Sequence, residues 1–145
     1  MTDTYWLVCA ACGAEHRVPH GATHQWQRCP GCGALLIASL CQPIPVTDAE
    51  WEAEMAGGTA PAVVVAAGRA CGTCAAYEAS VRLMAVHFYG KARVLWLNLD
   101  ESPRTAARYQ VTGVPTVLLF RDGQFLDRLP GPRGEQGLAE RLGLG

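Results

Sequence analysis

The sequence predicts an α/β protein: a mixed central β-sheet with helices on both faces, preceded by a small four-cysteine metal ribbon. Three observations predict it. From residue 47 onward, short apolar β-branched runs alternate with helix-period segments, the pattern of βαβ units. The last two apolar runs are joined through "RDG", a hairpin signal, so part of the sheet is antiparallel. Four cysteines, at 9, 12, 29 and 32, crowd a segment with three histidines and little periodic hydrophobicity. The expected division is a ribbon over residues 1–38 and an α/β domain over 39–145.

Taken in order, the segment 1–36 suits a metal-stapled unit without a core of its own. "LLIASLC" (35–41) reads as a first strand, and "QPIP" (42–45), with two prolines, reads as a linker. "TDAEWEAEM" (47–55) reads as a short helix. Thr47 and Glu50 have capping-box spacing, and Trp51 and Met55 share a face. "AVVVAA" (62–67) is apolar throughout, as expected of a strand buried on both faces. "CAAYEASVRLMAVHFYG" (74–90) places Tyr77, Val81, Met84 and Phe88 at helical spacing, with Gly90 to close it. "RVLWLNLD" (93–100) is another buried strand, and "SPRTAARYQV" (102–111) opens a helix with Pro after Ser. "PTVLLF" (115–120) and "QFLDRL" (124–129) form the hairpin, and "GEQGLAERLGLG" is a final helix weakened by its glycines.

Of the 145 residues 50% are hydrophobic, enough for a real core at this length. The formal net charge of −1 gives no general attraction to nucleic acid or acidic membrane surfaces. No basic stretch followed by a long apolar run opens the chain, and no apolar run is long enough to span a bilayer. The expected location is therefore the cytoplasm, where paired cysteines serve as metal ligands or catalytic groups more often than as structural disulfides. Six of the seven cysteines fall into C-x-x-C pairs, and Cys41 is left over as a buried structural thiol.

Cys9, Cys12, Cys29 and Cys32 follow C-x2-C-x16-C-x2-C, the spacing of four-cysteine zinc sites. Two intervening residues let both sulfurs reach one ion. Gly13 and Gly33, in the near-copies "CAACGA" and "CPGCGA", let backbone amides approach the charged sulfurs. Four thiolates favour one structural Zn2+ and close the site, so no catalysis is expected at the metal. His16, His20 and His24 are then loop histidines rather than ligands.

"CGTC" (71–74) sits differently: it follows a buried strand and opens a helix. Cys71 falls at the helix N-terminus, where N–H groups and the dipole stabilise a thiolate. Cys74, one turn on, can attack a mixed disulfide formed at Cys71, and Gly72 keeps the turn open. A C-x-x-C beside a βαβ pattern reads as a redox motif.

With "TGVPTVLLFRDGQFLDRLPG" (112–131) added, the chain resembles the thioredoxin family, in which a cis-proline loop faces the redox pair and precedes a hairpin. "VLWLNLDES" and "AARYQVTGVPT" resemble the family's central strand and third helix. The preceding ribbon is similar to that of the bacterial second-thioredoxin type. The resemblance implies a thioredoxin fold and a protein thiol–disulfide oxidoreductase. Cys71 would attack and Cys74 resolve, and Pro115 would be cis. The Val114 backbone, with Gly72 and Thr73, would meet an extended substrate. It also implies protein disulfide substrates and a flavin- and NADPH-dependent reductase as partners, with no bound organic cofactor.

The chain departs from the family in its supporting residues. Ala70 stands where a Trp precedes the first cysteine. Val65 and Trp96 stand where the family has a buried acid and its partner lysine, and Ala79 replaces a helix-kinking proline. Thr73 replaces the proline between the cysteines. Replacing both members of a buried ion pair is self-consistent, since losing one would strand a charge. Slower disulfide release and a more oxidising pair are expected. Rival readings are a binding module with little turnover, and a switch in which oxidation expels zinc.

Overall fold

The computed structural model describes residues 4–9, 11–19, 28–33, 43–56, 61–88 and 91–144. The strand expected over 35–41, Cys41, Gly90, His20 and His24 lie outside the described residues. Two antiparallel strands, β1 (Thr4–Val8) and β2 (Glu15–Pro19), form the ribbon, in register from Thr4 opposite Pro19 to Val8 opposite Glu15.

The remaining elements are β3 (Ile44–Val46), α1 (Asp48–Ala56), β4 (Ala62–Ala67), α2 (Gly72–His87), β5 (Arg93–Asn98), a 3-10 turn (Leu99–Glu101), α3 (Pro103–Arg108), β6 (Thr116–Arg121), β7 (Gln124–Pro130) and α4 (Glu135–Arg141). They build a five-stranded sheet in the order β3-β5-β4-β6-β7. β3 and β4 pair parallel with β5, whereas β6 runs antiparallel to both β4 and β7. This is the mixed α/β thioredoxin fold expected from the sequence.

Strand β4 is buried along its whole length, and its alternate residues serve two cores. Val63 and Val65 face Tyr77, Val81 and Met84 of α2 and Leu138 of α4. Val64 and Ala66 face Trp51 of α1 and Val111 beyond α3. The hairpin turns on Asp122 (φ 54°) and Gly123 (φ 74°), with Arg121 opposite Gln124. Two left-handed residues in sequence match the twist of the strands they join.

The linker expected over 42–45 is a correction: Ile44–Val46 is an edge strand. Among the described residues β3 pairs only with β5, with Pro45 opposite Trp96, and an edge strand is where proline is tolerated. The strand expected to reach residue 100 ends at Asn98, whose side chain accepts the Asp100 N–H and starts the 3-10 turn. The helix expected over 102–111 ends at Arg108, and Gln110 is left-handed at φ 56°.

Helix α1 opens as its spacing predicts. The Thr47 N–H donates to Glu50 Oε2 at 3.1 Å, and the Thr47 hydroxyl accepts the Ala49 N–H at 3.3 Å. From that helix, Asp48 reaches α3: its carboxylate accepts the Arg104 N–H (3.0 Å), the Thr105 N–H (2.9 Å) and the Thr105 hydroxyl (2.6 Å). Burial pushes the Asp48 pKa up, but these hydrogen bonds from Thr105 and the Arg104 amide prevail and hold it below 3.8. A depressed carboxyl stabilises the fold above its unfolded pKa and loses that contribution as pH falls through the folded value. Asp48→Ala is expected to cost about 1–2 kcal/mol at neutral pH, as for loss of a helix cap. In urea titrations, the gap from wild type should close below about pH 3.8.

Candidate functional site

Two of the three C-x-x-C pairs converge. The Sγ atoms of Cys9, Cys12, Cys29 and Cys32 all lie within 4.8 Å of one another, with Cys9 and Cys29 buried and Cys12 and Cys32 exposed. Each near-copy closes the same turn. The Gly13 N–H donates to Cys9 O at 2.8 Å, and the Gly33 N–H donates to Cys29 O at 2.7 Å. Gly13 and Gly33 both take left-handed backbones, at φ 76° and 77°. A Cβ at either would meet nothing within 4 Å, so backbone conformation rather than space demands glycine there.

The Cys9 and Cys32 sulfurs stand 3.7 Å apart and the Cys12 and Cys29 sulfurs 3.6 Å apart. A disulfide needs about 2.05 Å. Tetrahedral sulfurs about 2.3 Å from a zinc ion stand about 3.8 Å apart, so the donor set fits such an ion. Without a cation the thiols compete for protons. The Cys9 thiol is drawn down to about 7, first by the Cys12 backbone N–H. Cys12 is pushed up to about 12: the Ala14 amide lowers it, but hydrogen bonds with the Cys29 and Cys32 sulfurs outweigh that. A divalent cation removes the conflict by replacing the protons.

The third pair stands at the carboxyl end of β4. Cys71 is the N-cap of the 16-residue helix α2, and its Sγ accepts the Cys74 N–H at 3.0 Å. Cys71 and Cys74 form a disulfide with their Cα atoms 5.2 Å apart. Cys71 is half-buried and Cys74 is buried, whereas Gly72 and Thr73 between them are exposed. The only sulfur of the pair offered to a large partner is therefore that of Cys71.

The Val114–Pro115 peptide bond is cis. A Cβ on Gly68 would touch Val114 Cγ2 at 3.4 Å, so the loop carrying Pro115 packs against the chain leading to Cys71. The loop is fixed at both ends. The Gly131 N–H donates to Pro115 O at 2.9 Å, and the Thr116 hydroxyl donates to Gly113 O at 2.6 Å.

In the central strands, Val65 is fully buried and Trp96 half-buried, and the two are direct partners across β4 and β5. The two apolar replacements identified in the sequence are thus one adjacent pair in the sheet. Asp100 lies in the 3-10 turn after β5. Its carboxylate accepts the Arg69 N–H at 2.7 Å and so ties the segment before Cys71 to the end of β5. The Asn98-x-Asp100 turn was a local signal for an ordered carboxylate, but its partner lies 31 residues away.

The thioredoxin family model matches residues 42–143 of the chain. Thioredoxins of Staphylococcus aureus strains Mu50 / ATCC 700699 and MW2 are each 35% identical over 99 residues, covering 68% of this chain and 93% of theirs. A solved structure of a mutant thioredoxin from Halobacterium salinarum NRC-1 is similar at a TM-score of 0.62 and 26% identity, covering 70% of this chain and 88% of its own. Residues 1–41 lie outside the family match.

Proposed function

Since the chain belongs to the thioredoxin family, we propose that it is a protein disulfide reductase whose working pair is Cys71 and Cys74. The observation that carries this reading is the place of Cys71: an accessible sulfur at the N-terminus of a long helix, already accepting a backbone N–H. Both features favour its thiolate.

In the reduced protein, the Cys71 thiolate attacks one sulfur of a substrate disulfide. The Cys71–substrate bond forms as the substrate S–S bond breaks, and the released sulfur takes up a proton. Cys74 gives up its proton and attacks Cys71 Sγ, freeing the second substrate sulfur. Two electrons pass to the substrate, leaving the Cys71–Cys74 disulfide. The exposed Gly72 and Thr73 give the substrate room, and Val114 and the cis Pro115 offer an extended segment a fixed edge. Val65 and Trp96 supply no proton acceptor for Cys74, so water or the departing sulfur must serve, which slows the second step.

On this reading, Cys9, Cys12, Cys29 and Cys32 hold one structural Zn2+, and the ribbon is the N-terminal unit over 1–38. When bound, the ion supplies folding energy and leaves no open position for a substrate. The partners are disulfide-bearing proteins and a flavin- and NADPH-dependent reductase in the cytoplasm. Among the described residues, no helix is long and apolar enough to cross a membrane.

Cys74→Ser is expected to trap a mixed disulfide with protein substrates, resolvable by dithiothreitol on a non-reducing gel. Cys71→Ser should trap nothing and lower reduction of a model disulfide protein by more than about 1,000-fold. Absence of both turnover and adduct would instead favour a binding module.

A further inference from the structure

A groove of about 340 Å³ runs along the cis-proline loop, lined in part by Gln110, Thr112, Val114, Pro115, Arg128 and Pro130. Among the described residues lining it, Arg128 is the single charged side chain. The groove adjoins the redox pair, because Val114 packs against Gly68, three residues before Cys71.

Arg128 is held in place. Its Nη1 donates to Tyr109 O (3.3 Å), Gln110 O (3.0 Å) and Gln110 Oε1 (3.2 Å), at the carbonyl end of α3. Its Nε and Nη2 have no hydrogen-bond partner among the described residues, so half of the guanidinium fork is left for another acceptor. The neighbouring acid does not neutralise it: Asp127 is paired with Arg141 at 2.9 Å. A second cation stands at the groove's end, where Arg133 Nη2 donates to Pro130 O at 3.0 Å. No carboxylate lines the groove among the described residues.

We infer that this groove selects extended protein segments that carry an acidic side chain close to the disulfide being reduced, with Arg128 as the specificity-determining contact. The inference rests on the thiol–disulfide reading above and deepens it. An extended segment laid along Val114 alternates its side chains between groove and solvent. A groove-facing Glu or Asp meets a fixed, half-used guanidinium, whereas a Lys or Arg meets its repulsion. The electron path is unchanged: Cys71 and Cys74 give two electrons to the substrate disulfide, and Arg128 exchanges neither electrons nor protons. Such a rim charge acts mainly on encounter and is screened by salt.

The test uses the full chain, reduced and freed of reductant, against matched disulfide peptides that differ in one flanking residue, Glu or Lys. Each rate is divided by that peptide's rate with dithiothreitol, which removes the intrinsic effect of charge on the disulfide. The Glu peptide should react about fivefold faster at low salt, shrinking to less than about twofold in 0.5 M salt. Arg128→Lys keeps the charge and should keep the preference; Arg128→Gln should abolish it, with melting curves confirming that both variants are folded. Equal rates for wild type, or an unchanged preference in Arg128→Gln, would overturn the inference while leaving the redox reading in place. No reaction with any peptide would overturn both.

Discussion

With the proposed Zn2+ bound at Cys9, Cys12, Cys29 and Cys32, chelation is expected to unfold β1 and β2 while the five-stranded sheet stays folded. Among the described residues, the ribbon's regular structure is one hairpin of two five-residue strands, and an isolated two-stranded hairpin is marginal in water. Both hydrophobic core clusters of the described residues are drawn from positions 44–142, so the sheet has its own support. Structural zinc contributes about 10–16 kcal/mol in small thiolate-bound units, far more than a hairpin can replace. Hydrogen exchange under a chelator titration measures this residue by residue. Protection should vanish at β1 and around Cys9 and Cys29, and persist in β4, β5 and β6. Loss of protection in both units at one chelator concentration would contradict the expectation. The pH sign follows from the thiols. Cys9 sits at about 7 but Cys12 at about 12, so the ion must displace thiol protons, and its affinity falls as pH is lowered.

The second large effect lies at the opposite end of the sheet from the redox pair. Arg93 and Glu54 form an ion pair at 2.9 Å, with both side chains 0% exposed, and Arg93 also donates to the Glu54 carbonyl. Glu54→Ala removes the carboxylate that lies 2.9 Å from a fully buried guanidinium. Breaking such a pair costs about 3–5 kcal/mol. The melting midpoint should fall by more than about 10 °C, read by circular dichroism or calorimetry. Because the cost comes from a buried charge deprived of this carboxylate, Glu54→Leu combined with Arg93→Met should recover most of it. A double variant as unstable as Glu54→Ala would show that packing around the pair, and not its charge, is decisive.

What could be read from the sequence was what local chemistry encodes. Strand β4 announced itself through six consecutive apolar residues, the hairpin through Asp122-Gly123, and α1 through Thr47 and Glu50. The paired cysteines separated into two sites because one pair follows a buried strand and the others end in glycine. Edge strand β3 reads as a linker in the sequence because two prolines flank or occupy it, and its pairing with β5 alone among the described residues explains why Pro45 fits. The long-range partners were invisible for a different reason. Asp100 meets Arg69, Asp48 meets Arg104 and Thr105, and Glu54 meets Arg93 across 31 to 57 residues of chain. Nothing in the spacing of a charged residue tells which distant backbone amide it will hold.

The adjacent Val65 and Trp96 also bear on the proton inventory of the dithiol. A carboxyl held behind a resolving cysteine titrates with it, so neither group has a pKa of its own. Positions 65 and 96 carry nothing that titrates, so neither adds a proton to those that move at the two sulfurs on reduction. The plot of reduction potential against pH should then bend where a thiol ionises, with no bend contributed by positions 65 and 96. Folding stability, likewise, should carry no contribution from a carboxyl forced to remain neutral at these two positions.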